Sequence, residues 1–324
     1  MLDMTKSYVI GVDIGGTNTV FGIVDARGTI VATNSLKTQE YGDNAEKFVD
    51  HLADKISLLI EENNLRDSVR SVGIGAPNGN YYTGTIDFAT NMAWKKSLPI
   101  VTMLSERLNL PTILTNDAKA AAIGEMTYGV AKGLKDFIMI TLGTGVGSGI
   151  VVNEKVLYGT DSLAGELGHF IVRRNGRKCG CGRNGCLETY CSASGIVRSA
   201  HEFLDARTEP SLLRSIDRDK LTSKDIYEAA SRGDAIAIDI FNFTGKILGE
   251  TLADFVTFSS PEAFVLFGGL AAAGDLLMNP VKEAFQTNLL KVYNPPKLLF
   301  SSLPAADSAV LGAAAIAWEA KSEK

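Results

Sequence analysis

The chain has 324 residues, which is enough for about two domains of ordinary size. Its 32 Lys and Arg residues face 37 Asp and Glu residues, a formal net charge of −5 at pH 7, and 45% of the residues are hydrophobic. This composition is typical of a globular protein with a buried core and excludes extended disorder. The acidic balance also argues against a nucleic-acid partner, which requires a basic face that neutralises phosphates.

No apolar segment is long enough for a membrane. The longest stretch that is both uncharged and apolar lies near residues 263–274, well short of the about 20 residues of a spanning helix. The N-terminus has neither the basic start nor the long apolar region of a signal peptide. We therefore expect a cytoplasmic protein with no membrane partner. In that reducing compartment, four cysteines confined to residues 179–191 indicate a metal site rather than disulfides.

The first part of the chain predicts alternating strands and helices. A near-continuous apolar run over residues 7–13 predicts a strand buried on both faces, and the turn Gly15-Gly16-Thr17-Asn18 leads into a second strand. Apolar residues at helical spacing predict the first helix. In chain order, we expect strands at residues 7–13, 20–24, 30–36, 72–75 and 112–115, helices at 45–62 and 118–126, and a loop over 76–91.

The same pattern restarts near residue 137. Strand, glycine turn and strand over residues 137–153 repeat the order of residues 8–25, roughly 130 residues earlier, a spacing too long for a solenoid. We therefore expect a duplicated α/β domain, with a boundary near residues 117–133. The remaining predicted elements are helices from about residue 194 to 257, a strand at 263–267 closed by Gly268-Gly269, and a last helix at 309–321.

Two glycine-rich turns are candidates for binding phosphates. Residues 13–18 read Asp-Ile-Gly-Gly-Thr-Asn, and residues 141–149 carry glycines at alternating positions. Glycines let backbone N–H groups approach an anion, Thr17 and Asn18 add side-chain donors, and Asp13 could hold Mg²⁺. Neither turn is a Walker A loop or a dinucleotide fingerprint. The alternative is a pair of ordinary glycine hairpins.

A carboxylate follows the predicted strand at residues 112–115, in the pair Asn116-Asp117. One interpretation is that Asp117 accepts a proton from a substrate hydroxyl in an inter-domain cleft. The alternative is that Asp117 is the N-cap of the following helix. The two roles are compatible.

A zinc site is predicted from His169 and the Cys179-x-Cys181-x4-Cys186 spacing. Three thiolates and one imidazole form a closed tetrahedral site, and the glycines of the loop favour tight wrapping around a metal. Cys191 could replace His169 as the fourth ligand, and unliganded thiols are the remaining alternative.

Two carboxylates, Glu166 and Glu188, flank this loop. Carboxylates accept several hydrogen bonds, as sugar hydroxyls require. The alternative is that both are solvated surface acids. His51 and His201 lie in helical stretches and are interpreted as surface or packing residues.

Together these motifs resemble the ROK family of sugar kinases and repressors, most of all its bacterial glucokinases. The most specific elements are Gly165-Glu166-Leu167-Gly168-His169 and the segment from Cys179 to Glu188. The resemblance implies an α/β fold of the actin-like ATPase (ribonuclease H-like) class, with two α/β domains around a cleft. The implied domains are residues 1–117, with a C-terminal helix at about 306–324 packing back on them, and a larger domain at 118–305 with the zinc loop.

The resemblance also implies roles for individual residues. Asp117 would be the catalytic base, Asn116 would hold neighbouring hydroxyls, and the other sugar contacts would be Asn78, Asn91, Glu166, His169 and Glu188. Phosphates would be bound by Asp13, Gly15, Gly16, Thr17, Asn18, Thr144, Gly145 and Gly147, with the adenosine near Gly268 and Gly269. Zinc would be held by His169, Cys179, Cys181 and Cys186, which leaves Cys191 outside.

Two departures from the family pattern are visible. Asn78 stands where the family usually has Gly, and residues 91–94 match the family's Asn-Leu…Trp element only loosely.

The implied activity is Mg²⁺-dependent transfer of the ATP γ-phosphoryl group to a hexose, most of all glucose, giving glucose 6-phosphate. An N-acylhexosamine or fructose kinase and a sugar-responsive regulator are the alternatives within the family. An ATP-driven binding protein of actin or chaperone type would not need the zinc loop with its carboxylates. A homodimer, or a dimer of dimers, is expected.

Overall fold

The computed structural model describes residues 7–87, 94, 96–304 and 306–320. Asn91 and the predicted end of the last helix lie outside these residues. The strands are β1 (Tyr8–Ile14), β2 (Thr19–Asp25), β3 (Ile30–Leu36), β4 (Val69–Ala76), β5 (Gly79–Asn80), β6 (Thr85–Ile86), β7 (Thr112–Asn116), β8 (Phe137–Leu142), β9 (Val146–Val152), β10 (Lys155–Val156), β11 (Ala263–Phe267) and β12 (Lys297–Phe300).

The α-helices are α1 (Ala45–Glu62), α2 (Ile100–Leu108), α3 (Asp117–Tyr128), α4 (Glu188–Cys191), α5 (Ala193–Ala206), α6 (Ser223–Ser231), α7 (Ala235–Ser259), α8 (Asp275–Asn288) and α9 (Ser308–Ala317). In the part of the chain that the structure describes, every helix is too short or too polar to cross a lipid bilayer.

The chain divides into two compact units. The first comprises the described residues of Met1–Gly133, Glu154–Ala164 and Ser302–Lys324, and the second comprises Leu134–Asn153 and Gly165–Ser301. Both units are therefore discontinuous in sequence.

The first unit is built on a sheet with the strand order β3-β2-β1-β4-β7. β1 and β2 form an antiparallel hairpin, whereas β4 and β7 run parallel to β1. Both faces of β1 are covered: Ile10, Val12 and Ile14 pack in a core that includes α1, and Val9 packs in a second cluster with residues of α9. This is the physical reason for the near-continuous apolar run of β1.

The parallel strands bring three of the predicted site residues, Asp13, Asn116 and Asp117, to one edge of this sheet. Asp13 on β1 is in register with Gly75 on β4, and Gly75 is in register with Thr115 on β7. Asn116 and Asp117 follow directly. The carboxyl edge of a parallel sheet is where α/β proteins commonly bind ligands.

The second unit repeats this arrangement. Its strands β9, β8, β11 and β12 are neighbours in that order; β8 and β9 are antiparallel, and β11 and β12 run parallel to β8. The two glycine-rich turns therefore occupy equivalent places, each between the antiparallel pair of its sheet.

Helix α9 packs against β1 and β4 through two glycines inside those strands. A Cβ at Gly11 would overlap the carbonyl of Val310 and lie 2.7 Å from the backbone nitrogen of Ala314. A Cβ at Gly73 would overlap the carbonyl of Ala313 in the same way. The absence of side chains at these two positions allows the helix to lie directly on the strand backbones.

Several elements were absent from the sequence prediction. The predicted loop after β4 contains the short β5–β6 pair, and α2, α8 and β12 were not predicted. Helix α8 contains Pro280, whose ring would overlap a Cβ at Gly245 of α7. A proline inside a helix usually ends it, but here the packing of α8 on α7 keeps the helix continuous.

Candidate functional site

The turn between β1 and β2 presents backbone N–H groups at the carboxyl edge of the first sheet. The N–H of Gly15 donates to the carbonyl of Asn18 at 2.9 Å, and a Cβ at Gly15 would lie 2.8 Å from that same oxygen. Gly15 is therefore required for the tight turn. Thr17 and Asn18 are exposed, so their polar groups are accessible to a ligand.

Two carboxyl groups lie together beneath this turn. The side chain missing at Gly75 leaves a space bordered by Asp13 Oδ1 and the Cα of Asp117, each 3.9 Å from where a Cβ would lie. Burial, and then the charge of Asp117, raise the pKa of Asp13 to about 7. Burial also raises the pKa of Asp117. Paired carboxylate oxygens are the ligands that Mg²⁺ prefers.

The N-cap of α3 is Asn116, so the alternative interpretation of Asp117 as the N-cap is wrong. The Asn116 side chain accepts hydrogen bonds from the N–H groups of Ala118 at 2.9 Å and Lys119 at 3.4 Å. Asp117 is the first helical residue, and its Oδ1 accepts from Ala118 N–H at 2.8 Å. The helix start therefore holds both side chains in fixed positions.

The backbone of Asn78 has a conformation that also suits Gly, the residue that the family resemblance implies at this position. Its φ is +54°, in the left-handed region that Gly adopts without strain and that Asn tolerates better than other residues. Its carbonyl accepts from Asp87 N–H at 3.2 Å. Asn91 lies outside the described residues.

In the second unit, the turn between β8 and β9 is fixed by its own backbone and by helix α5. Gly143 N–H donates to the carbonyl of Gly145 at 3.0 Å, and the carbonyl of Gly143 accepts from Ala193 N–H at 2.8 Å. The Ser194 hydroxyl donates to the carbonyl of Thr144 at 2.9 Å. The turn thus lies beside the first residues of α5.

Gly268 follows β11 and packs on the same turn. Its φ is +103°, and a Cβ there would lie 2.6 Å from the carbonyl of Leu142. Any other residue would push the chain away from the end of β8. A Cβ at Gly269 would meet no atom within 4 Å.

His169, Cys179, Cys181 and Cys186 form a cluster whose ligand atoms all lie within 4.8 Å of one another. Burial raises the pKa of Cys179 and Cys186, whereas the pKa of Cys181 is lowered to about 7, first by the N–H of Arg183. Cys191 is fully buried elsewhere, and its thiol faces the carbonyl of Thr244 at 3.6 Å. Three sulfurs and one imidazole fit a structural zinc ion.

The carboxylate of Glu188 lies next to this cluster. Its Oε1 accepts from the Cys179 thiol at 2.9 Å and lies 3.6 Å from His169 Nδ1, and a Cβ at Gly145 would lie 2.9 Å from its Oε2. Glu188 therefore borders both the metal cluster and the glycine turn. Glu166 is exposed and lies one turn before His169, whose N–H donates to the Glu166 carbonyl at 3.1 Å.

Sequence reasoning missed two residues of this region. The hydroxyl of Ser148 bonds the carbonyl of Gly165 and accepts from Leu167 N–H at 3.1 Å, which fixes the segment that carries Glu166 on β9. Arg177 is buried behind the metal cluster. No sequence motif points to Ser148 or Arg177, because each one acts through hydrogen bonds to the backbone of another segment.

The two other histidines have local partners. His51 Nδ1 lies 3.0 Å from the Tyr41 hydroxyl, and His201 Nε2 lies 3.2 Å from the carbonyl of Arg218.

Three known sugar kinases are similar to this chain over most of its length. A glucokinase from Halalkalibacterium halodurans is 36% identical over 89% of this chain and 88% of its own length. The crystal structure of a ROK family glucokinase from Streptomyces griseus in complex with glucose and AMPPNP is 35% identical, with a TM-score of 0.80 over 96% of this chain and 99% of that one. The ROK hexokinase from Thermus thermophilus is 28% identical, with a TM-score of 0.82 over 96% of this chain and 98% of that one.

These structures share the actin-like ATPase fold, which the duplicated sheets described above also have. The profile of the ROK family matches residues 9–320, almost the whole described chain. The chain belongs to the ROK family.

Proposed function

We propose that the protein transfers the γ-phosphoryl group of ATP to the C6 hydroxyl of glucose. The observation that carries this proposal is the Asp117 carboxylate, fixed at the start of α3 at the carboxyl edge of the first sheet, next to Asp13 and the glycine turn. Similarity to glucokinases over nearly the full length of the chain supports the choice of glucose.

Asp117 acts as the general base. The N–H of Ala118 holds its Oδ1, so the carboxylate keeps one orientation toward the attacking hydroxyl. Desolvation raises its pKa and so makes it a stronger base than a fully solvated carboxylate. Phosphoryl transfer has a loose transition state, so the main task of this residue is orientation, and it accepts the proton late in the reaction.

The glycine turns at residues 13–18 and 141–149 bind the phosphates through backbone N–H groups. Asp13, at the end of β1, is the residue that would hold Mg²⁺, which neutralises phosphate charge when it is bound. Gly268 and Gly269 lie at the adenosine.

Glu166, His169 and Glu188 bind the sugar hydroxyls, together with Asn78, Asn91 and Asn116. Zinc would be held by His169 and the three clustered cysteines, where it supplies structural support and takes no part in proton or phosphoryl transfer. Because Glu188 lies against Cys179, the metal cluster and a sugar contact form one local structure.

A panel of sugars in a coupled ATP assay tests the proposal. Glucose is expected to give the highest kcat/KM, and ³¹P NMR of the product should show phosphate on C6. A higher kcat/KM with an N-acylhexosamine or with fructose would replace glucose with that sugar. Sugar binding without ADP release would indicate the regulator instead.

We also infer that the protein is a homodimer. Phe170 and Phe258 both pack edge-on against Phe255 in the second unit, yet they remain 43% and 56% exposed, and the neighbouring Ile171 is 38% exposed. Adjoining exposed apolar side chains are typical of interaction surfaces. Light scattering on wild type and on Phe258→Ser tests this: a dimer that dissociates in the variant is expected, and a monomeric wild type would contradict it.

A further inference from the structure

Arg177 lies two residues before the first cysteine of the metal cluster, and its side chain is only 5% exposed. Its Nη1 donates to the carbonyl of Thr189 at 2.7 Å and to the carbonyl of Gly195 at 3.1 Å. Its Nη2 donates to the Ser199 hydroxyl at 2.9 Å. A buried charge with this many partners is costly to disturb, because each lost bond leaves a buried acceptor unsatisfied.

Two further contacts hold Arg177 in place. Its guanidinium forms a two-point ion pair with Glu202, at 3.0 and 2.5 Å, and lies 4.4 Å from the centre of the Tyr190 ring. The backbone N–H of Arg177 donates to the Tyr190 hydroxyl at 3.1 Å. The aromatic contact and the ion pair orient the planar guanidinium toward the two carbonyls.

Those carbonyls belong to residues 188–195, which we call the Glu188 turn. Within it, the Ser192 hydroxyl donates to the carbonyl of Glu188 at 2.6 Å and accepts from Gly195 N–H at 2.9 Å. A Cβ at Gly195 would lie 2.7 Å from the Glu188 carbonyl, so the turn closes tightly on itself. Arg177 donates hydrogen bonds to Thr189, the second residue of the Glu188 turn, and to Gly195, its last residue.

The Glu188 turn therefore has two independent supports. The metal cluster contacts the Glu188 side chain through Cys179. Arg177 contacts the backbone on the other side, through groups that need no metal. A loop that zinc alone ordered would release Glu188 when the metal is removed, whereas this arrangement keeps the backbone of Glu188 in place.

We propose that Arg177 is a positioning residue for sugar binding, which fixes Glu188 through the backbone of the Glu188 turn. This inference rests on the proposed function, in which Glu188 contacts the sugar. Arg177 touches neither substrate nor metal ligand atoms, so it acts only through the Glu188 turn. Its main effect is on the affinity for the sugar, which Glu188 contacts, and a smaller effect on ATP passes through Ala193 and Ser194 to the second glycine turn.

The test replaces Arg177 with Lys, which keeps the charge but loses the fork geometry, and with Met, which keeps the buried stem. We expect the KM for glucose to rise by about 10–100-fold in R177K, the usual effect of removing support behind a binding residue, and more in R177M. The KM for ATP should rise less than the KM for glucose, because Arg177 reaches the second glycine turn only through Ala193 and Ser194, and the zinc content should be unchanged.

Two matched variants separate positioning from stability. E202Q weakens the ion pair but leaves the bonds to the Thr189 and Gly195 carbonyls, so its KM for glucose should match that of wild type even if its Tm falls. R198K alters a nearby exposed arginine whose side chain donates to the Lys178 carbonyl and pairs with Glu202, so it should change neither the KM for glucose nor the KM for ATP. Equal KM changes in E202Q and R177K would refute the proposal.

Hydrogen exchange without substrate supplies a readout independent of activity. Amides of residues 188–195 should exchange faster in R177K than in wild type, while those of the first unit should not change. If the wild type binds no hexose, the proposed function fails, yet faster exchange confined to the Glu188 turn would still support the role of Arg177. Unchanged exchange at residues 188–195 in R177K would overturn the proposal. Loss of zinc and of folding in both R177K and R177M would assign Arg177 a general structural role and would overturn it too.

Discussion

Asp13→Asn is expected to stabilise the metal-free protein at pH 8 while it removes kinase activity. Burial and the charge of Asp117 raise the pKa of Asp13 from 3.8 to about 7. Above pH 7 the folded chain must therefore keep an ionised carboxyl group in a place that disfavours its charge. In the proposed function this cost is offset by the role of the Asp13 carboxylate, which would hold Mg²⁺.

The magnitude follows from the two pKa values. They differ by about 3 pH units, and each unit corresponds to about 1.36 kcal/mol, so the cost is about 4 kcal/mol. Between pH 3.8 and about 7 the folded state binds more protons than the unfolded state, so the free energy of unfolding falls as pH rises across this window. Burying the Asn amide has its own cost, so 4 kcal/mol is an upper limit.

The assay is thermal unfolding followed by circular dichroism between pH 4 and 8, with EDTA present. The Tm of the variant should match that of wild type near pH 4 and exceed it by several degrees at pH 8, because 1 kcal/mol shifts the Tm of units this large by about 2–4 °C. A variant that is less stable at pH 8, or a Tm difference independent of pH, would refute the reasoning.

Asp25→Asn is the matched control, since Asp25 ends the second strand of the same hairpin. Burial by itself raises the pKa of Asp25, but hydrogen bonds from the N–H groups of Thr29 and Arg27 outweigh this effect, and the pKa is lowered. Its ionised form is therefore favoured by folding, and the stability that it adds is present above the unfolded pKa and lost as pH falls. The variant should lose stability at pH 8, the opposite sign to Asp13→Asn.

Three other outcomes are expected. Asp117→Asn should lose kcat by about 10²–10⁴-fold while calorimetry shows that glucose and ATP still bind, because a general base is removed and the contacts remain; near-normal turnover would contradict its role. Purified protein should contain about one zinc per chain by mass spectrometry, lost in Cys181→Ser but kept in Cys191→Ser; the reverse pattern would overturn the ligand assignment. Gly11→Ala should lower the Tm strongly, since its Cβ would overlap the carbonyl of Val310; an unchanged Tm would show that α9 can shift away from β1.

Features that depend on local spacing could be predicted from the sequence. The turn at Gly15 and the clustered cysteines are examples, because glycine in a turn and thiols a few residues apart act through short-range geometry. The N-cap was misassigned by one residue, since Asn116 and Asp117 are both good caps and only the backbone angles decide between them.

Features that depend on packing between distant segments could not be predicted. Gly11 lies in mid-strand because helix α9, some 300 residues later in the chain, lies against it. Helix α8 survives Pro280 because Gly245 makes room for the ring. Arg177 gives no signal for the same reason: its partners at Thr189 and Gly195 become neighbours only once the loop has folded.

The position of α9 sets an order of events during synthesis. All residues of the second unit have been made once residue 301 has left the ribosome. Strands β1 and β4 of the first unit are made before the second unit, yet they lack the helix that covers Gly11 and Gly73 until residues 308–317 emerge. The nascent chain must therefore keep one face of this sheet open while the residues of the second unit are made. This face is where a chaperone would be needed, and a truncation within α9 would leave it permanently uncovered.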